Sequence, residues 1–90
     1  MTKKVIKTPH APEAIGTYSQ GIQIQNLVFT SGQIPFDSKN GILIKDDFKS
    51  EVHQVLKNLD AILSAGDSSL QLTIKLTVFL TDLADFQQLN

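Results

Sequence analysis

Cysteine and arginine are both absent from this chain of 90 residues. Without cysteine there is no disulfide, no thiolate nucleophile and no cysteine-based metal site. The eight basic residues are all lysines, and a lysine ammonium meets a carboxylate as a point charge, whereas a guanidinium offers a planar fork. No apolar run approaches the roughly 18 residues of a membrane span, and none follows Met1 as in a signal peptide. These absences predict a cytoplasmic protein with no membrane partner.

Charge and size narrow the functional classes further. The chain has a net charge of -1 with both signs interspersed, so it has no field that would attract nucleic acid, and no such partner is expected. Ninety residues predict a single domain over 1–90. A chain of this size buries only about 60–65% of its unfolded surface. Because so little apolar burial leaves only a small net free energy of folding, association with further copies is expected to stabilise the fold.

Apolar spacing predicts strands in the first third of the chain. Residues 21–25 alternate apolar and polar side chains, which is typical of a strand with one buried face. Residues 27–33 resume as a more apolar strand after a turn at Asn26, so the two form a hairpin. Residues 5–6 are a further short strand candidate.

A long helix and a final strand and helix follow. Apolar side chains recur at helical spacing, which predicts a helix over 46–65 that ends at Gly66. Residues 73–80 are β-branched and apolar, which predicts a central strand paired in parallel through the strand–helix–strand unit. Asp82 then caps a second, short helix. The predicted fold class is α/β (α+β), with one apolar sheet face left for a second copy. The apolar stripe of the long helix comprises Phe48, Val52, Val55, Leu56, Leu59, Ile62 and Leu63.

Polar residues flank the predicted hairpin where a ligand could bind. Tyr18 stands at the entry to the second strand, where its hydroxyl could position a substrate or a water, although an aromatic side chain there can equally be a packing residue. Ser31 offers a hydroxyl and an amide, and Gly32 permits close backbone approach by a ligand; the alternative is a bulge at the strand end. His10 and His53 have no further ligand at suitable spacing, so no metal site is predicted.

Three segments carry a resemblance to a known family. They are residues 15–20 (Ile-Gly-Thr-Tyr-Ser-Gln), residues 30–35 (Thr-Ser-Gly-Gln-Ile-Pro) and residues 75–82 (Lys-Leu-Thr-Val-Phe-Leu-Thr-Asp). In this order, around a long helix, they resemble the RidA/YjgF family of imine deaminases, also described as endoribonuclease L-PSP. The resemblance implies a chorismate-mutase-like mixed sheet with helices on one face. It also implies a homotrimer with ligand clefts between subunits.

The resemblance implies an activity as well. Members hydrolyse reactive enamine and imine intermediates, such as 2-iminobutanoate and 2-iminopropanoate, to 2-keto acids and ammonia. No cofactor is expected, because an imine carbon is already electrophilic. Small imino and keto acids are the implied partners, and Tyr18, Ser31 and Gly32 the implied substrate-binding residues. The family takes its arginine and glutamate from C-terminal strands, which are expected to be missing from residues 1–90, so no catalytic residue is assigned within the chain.

Three hypotheses stay open from the sequence. In the first, the chain is a C-terminally incomplete deaminase domain of this family. In the second, it is a non-catalytic trimer that binds small carboxylates or acts as a regulator in translation or RNA turnover. In the third, it is the remnant of a broken reading frame and folds poorly. Whether this chain is an enzyme is therefore an open question at this point.

Overall fold

The computed structural model describes residues 2–89, which form two small sheets, one long helix and several short helical turns. Every strand pairing in this part of the chain is antiparallel. The strands are β1 (Lys3–Ile6), β2 (Gly21–Ile24) and β3 (Leu27–Thr30) in one sheet, and β4 (Phe36–Asp37) and β5 (Ile42–Leu43) in the other. The helices are α1 (Phe48–Ala65) and α2 (Phe86–Leu89), with 3₁₀ turns at Leu70–Leu72 and Leu83–Asp85.

The first sheet confirms the predicted hairpin. β2 pairs with β3, with Gly21 opposite Thr30, and β1 adds to the other edge of β2. The turn lies at Gln25 and Asn26, where Gln25 adopts a left-handed backbone with a φ of 53°. β3 ends at Thr30 rather than at Gln33 as predicted. The reason is that the partner strand β2 begins at Gly21, opposite Thr30, so residues 31–33 have no strand residue to pair with. A tight three-residue turn around Pro35 follows.

Helix α1 begins and ends within two residues of its predicted bounds. Asp47 is the N-cap, and its Oδ1 accepts the Ser50 N–H at 2.7 Å. This hydrogen bond from Ser50 holds the pKa of the Asp47 carboxyl below its usual value. The seven side chains of the predicted apolar stripe are all buried or half-buried, so the stripe is the face that packs on the protein.

The C-terminal end of α1 needs a glycine for packing rather than for its φ angle. The left-handed residue is Asp67, with a φ of 60°, whereas Gly66 has a φ of -98°. A Cβ added at Gly66 would lie 2.7 Å from Cδ1 of Ile6 and 3.4 Å from Cγ2 of Val28. The helix therefore ends in direct contact with the sheet.

The core lies between α1 and one face of the first sheet. Ile6, Ala11 and Ile62 are buried, and Val28 and Ala61 pack against them. Gly21 lets the two layers approach closely, because a Cβ there would lie 2.9 Å from Cγ2 of Ile62. This apolar core is small, and polar residues complete the buried interior: Thr8, Gln20 and Asn58.

The opposite face of the first sheet is apolar and uncovered. Side chains alternate between the two faces of a strand, so Ile22, the neighbour of Gly21, points away from α1. Its partners across the sheet are Val5 and Phe29, which are 55% and 57% exposed. The structure therefore shows the exposed apolar sheet face that the sequence predicts.

The predicted strand over residues 73–80 is wrong for the described chain. These residues have no regular secondary structure, and Ile74 and Phe79 are 86% and 93% exposed. The predicted parallel pairing is likewise absent from residues 2–89. β-propensity expresses how well a side chain fits a pleated, half-buried surface, and residues 73–79 are exposed instead.

The second predicted helix begins where expected. Oδ1 of Asp82 accepts the Ala84 N–H at 2.9 Å, and the 3₁₀ turn and α2 follow directly. Within residues 2–89, no helix combines the length and the apolar character needed to cross a membrane.

We expect Gly21→Ala to lower the free energy of unfolding by about 1–3 kcal/mol, because the new methyl group overpacks the contact between α1 and the sheet. Gly32→Ala is the matched control, since a Cβ at Gly32 would meet no atom within 4 Å, and its effect should stay within about 1 kcal/mol. Chemical denaturation followed by circular dichroism measures both. Equal losses for the two variants would contradict the close approach at Gly21.

Candidate functional site

The structure brings the three predicted binding residues to one end of the first sheet. Gly21 begins β2 and lies opposite Thr30, which ends β3. Tyr18 precedes this point by three residues, and Ser31 and Gly32 follow it directly. All three therefore lie where the chain enters and leaves the hairpin.

The Ser31 side chain is held in place by two neighbours. Its N–H donates to the main-chain oxygen of Gln20 at 2.9 Å, and its hydroxyl donates to the same oxygen at 3.2 Å. Nε2 of Gln33 donates to the Ser31 Oγ at 3.4 Å. A hydroxyl has two acceptor lone pairs, so one acceptor position of this half-buried Oγ stays available to a ligand that donates a hydrogen bond.

Gly32 and Tyr18 are both exposed at this end of the sheet. Gly32 is exposed, and a Cβ at this position would have no neighbour within 4 Å, so a ligand can approach the backbone here. Tyr18 is 54% exposed, and its hydroxyl makes no hydrogen bond to the described residues. The Tyr18 hydroxyl can therefore form a hydrogen bond with a ligand.

Gln20 is a site residue whose role the sequence did not reveal. Its side chain is 3% exposed, and its Oε1 accepts the Thr8 N–H at 2.7 Å. Its Nε2 donates to the main-chain oxygens of Thr8, Ala11 and Pro12 at 3.0, 3.2 and 2.8 Å. One amide therefore binds the 8–12 loop, while the main-chain oxygen of the same residue binds Ser31. The only sequence signal was its place at the end of the 15–20 motif.

Asn58 is a second buried amide that the sequence analysis missed. It is 1% exposed, and its Nδ2 donates to the main-chain oxygens of Ile34 and Phe36 at 3.1 and 3.0 Å. Its Oδ1 accepts from Nε2 of Gln54 at 2.9 Å. A polar residue four positions before Ile62 lies on the apolar stripe of α1, and that spacing is the signal that could have identified it.

Two surface cavities lie away from the three predicted residues. One, of about 470 Å³, is shallow and polar. The other, of about 500 Å³, has an apolar lining from α1 and residues 76–89. Within residues 2–89, no cluster of three or more histidine, aspartate or glutamate side chains could hold a metal ion. The polar cavity is lined by Ile44, Asp46, Ser50, His53, Gln54 and Lys57.

Comparison with known proteins identifies relatives over almost the whole chain. Residues 8–90 match the sequence model described as endoribonuclease L-PSP. A RutC family protein of Pyrococcus horikoshii is 49% identical over 88 residues, which are 98% of this chain and 70% of that protein. Reactive Intermediate Deaminase A, chloroplastic, of Arabidopsis thaliana is 40% identical over 88 residues, which are 98% of this chain and 47% of that protein.

A solved structure supports the same relationship in three dimensions. TdcF of Escherichia coli, crystallised with bound serine, superimposes with a TM-score of 0.89 at 43% sequence identity. The match covers 96% of this chain and 67% of the TdcF chain. The mixed α/β fold class is thereby confirmed.

We expect Gln20→Leu to lower the free energy of unfolding by about 1–3 kcal/mol, because the 8–12 loop then keeps buried polar groups without a partner. Gln23→Leu is the control in the same strand: the Gln23 side chain makes no hydrogen bond in the described chain, so its change should be smaller. Thermal and urea unfolding report both values. A Gln20→Leu variant as stable as the parent would contradict the role of the Gln20 side chain in holding the 8–12 loop.

Proposed function

This chain belongs to the endoribonuclease L-PSP family, which is the RidA/YjgF family, and we propose that it acts on small 2-imino and 2-keto carboxylic acids. The proposed site is the end of the first sheet where Tyr18, Ser31 and Gly32 lie. The observation that carries the proposal is the fixed Ser31 hydroxyl beside the open backbone of Gly32. Relatives named as reactive intermediate deaminases support the choice of substrate class.

The proposed reaction is hydrolytic deamination. Water adds to the electrophilic imine carbon to give a carbinolamine, which expels ammonia and leaves the 2-keto acid. The reaction needs no redox partner, because the carbon keeps its oxidation state. Ser31 and the Tyr18 hydroxyl would hold the polar groups of the substrate and position the attacking water. Gly32 would let the substrate lie against the main chain.

A second function, binding without turnover, is favoured by one observation. The chain has no arginine, so the bidentate guanidinium clamp that best fixes a carboxylate is not available from these residues. TdcF was crystallised with serine, which is itself a small carboxylate. These two observations support an alternative in which the protein binds small carboxylates without turnover, as a carrier or sensor. RNA is the less favoured ligand because the net charge is -1.

We further propose that the functional unit is a homotrimer located in the cytoplasm, with clefts between subunits. The uncovered apolar face that carries Val5, Ile22 and Phe29 supports self-association. A cleft completed by a second subunit also accounts for the absence of the three predicted residues from the linings of the two cavities described above.

We expect Ser31→Ala and Tyr18→Phe each to weaken binding of 2-oxobutanoate by roughly 2- to 12-fold, the value of one lost hydrogen bond. Isothermal titration calorimetry measures the affinity. Hydrolysis of 2-iminobutanoate, generated in the cuvette by an amino-acid oxidase, measures turnover.

Ser19→Ala is the control for this experiment, because it removes a neighbouring hydroxyl that makes no hydrogen bond in the described chain. Binding with turnover supports the deaminase, and binding alone supports the carrier or sensor. Unchanged affinity in both Ser31→Ala and Tyr18→Phe would show that the ligand binds elsewhere.

We expect Phe29→Lys to shift the protein from trimer to monomer, because a lysine in the middle of a buried apolar interface leaves an unpaired charge. Phe79→Lys is the matched control, since Phe79 is 93% exposed and lies outside the sheet. Analytical ultracentrifugation gives the mass of each species. A parent chain that sediments as a monomer would contradict the proposed assembly.

A further inference from the structure

The segment that carries Ser31 and Gly32 is fixed at both of its ends. At the first end, the Ser31 N–H and hydroxyl bind the Gln20 main-chain oxygen. At the second end, the main-chain oxygens of Ile34 and Phe36 accept from Nδ2 of Asn58. Between these anchors Gly32 is exposed, and a Cβ there would meet no atom within 4 Å. The conformation of the exposed part is therefore set by the two anchors.

The second anchor, Asn58, binds the main chain on both sides of Pro35. Residues 34 and 36 flank Pro35, which has no N–H, and the chain turns too tightly here to extend the first sheet. The Ile34 main-chain oxygen accepts the Phe36 N–H at 2.7 Å and a second hydrogen bond from Asn58, and the Phe36 oxygen accepts the other hydrogen bond from Asn58. An amide Nδ2 has two N–H groups, and Asn58 uses one for each carbonyl. The buried polar residue within the apolar stripe of α1 thus binds the main chain of this loop.

Asn58 is connected to the Ser31 side chain through Ile34 and Gln33. Ile34, which Asn58 holds, is the direct neighbour of Gln33, and Nε2 of Gln33 donates to the Ser31 Oγ at 3.4 Å. A shift of residues 34–36 would move Gln33 and release that contact. The hydrogen bond that the Ser31 Oγ accepts from Gln33 therefore depends on a side chain in the middle of α1.

We propose that Asn58 is a positioning residue of the candidate site, which orders residues 31–33 from the helix side for binding of a small carboxylic acid. The choice of ligand rests on the proposed function, whereas the ordering of residues 31–33 by Asn58 does not. Asn58 touches no substrate and acts only through Ile34, Phe36 and the Gln33–Ser31 contact.

The test replaces the amide by a group that can donate only when it is protonated. In Asn58→Asp at pH 7, a carboxylate faces two carbonyl oxygens and repels them. We expect the ¹⁵N order parameters of Gly32 and Gln33 to fall from about 0.85 to below about 0.6, and the affinity for 2-oxobutanoate to fall roughly tenfold. Burial raises the pKa of a carboxyl group, so at pH 5 its neutral form can donate its single O–H to one of the two carbonyls, and both quantities should recover in part.

Ile62→Val is the control on the same helix face. It truncates a fully buried side chain but leaves Ile34 and Phe36 with their donor, so it should lower stability without loosening residues 31–33 and without a recovery at pH 5. The parent chain measured at both pH values gives the baseline. If Asn58→Asp does not fold, Asn58→Ser replaces it, with the same expected loss of order at both pH values.

The outcomes distinguish the positioning role of Asn58 from the proposed function. Loss of order at Gly32 and Gln33, confined to the Asn58 variants, supports the positioning role, whereas retained order in these variants overturns it. If the parent chain binds no 2-oxobutanoate, the proposed function fails, and the order parameters alone decide the role of Asn58. If affinity falls equally in Ile62→Val and Asn58→Asp, the effect is one of general stability and the positioning role is overturned.

Discussion

The buried amide of Gln20 is the contact on which the rest of the structure depends. Its side chain satisfies the main chain of the 8–12 loop, which carries the core residue Ala11. Its main-chain oxygen accepts both hydrogen bonds from Ser31. The loop, the sheet and the candidate site are thus joined through one residue. Because a buried polar group without a partner costs more than a hydrogen bond gains, this arrangement has little freedom to change.

The small size of the core explains why polar contacts carry so much of the architecture. The buried apolar residues Ile6 and Ile62 fill the contact between the first sheet and α1, and Gly21 lets the two layers approach closely. A short chain has little further apolar area to bury. The irregular loops are therefore fixed by side-chain amides, and the sheet face around Phe29 stays exposed.

Local signals in the sequence were enough to place the regular elements. The hairpin follows from alternation and a turn at Asn26, and α1 follows from its apolar stripe and the stop at Gly66, because these depend on neighbours within a few residues. The strand predicted over residues 73–80 failed for the opposite reason, since a strand exists only where another strand pairs with it. The short pairing of β4 with β5 was also missed, because two residues per strand give no periodic pattern.

The sequence by itself determined the family, the long helix, the hairpin and the identity of Tyr18, Ser31 and Gly32 as candidates. Short motifs and periodic patterns carry that information directly. Only the tertiary structure decided how those candidates are held, because the Asn58 amide reaches carbonyl groups 22 and 24 residues away along the chain. Main-chain oxygens have no sequence signature, so a side chain whose purpose is to bind them looks like any other polar residue until the fold brings the two together.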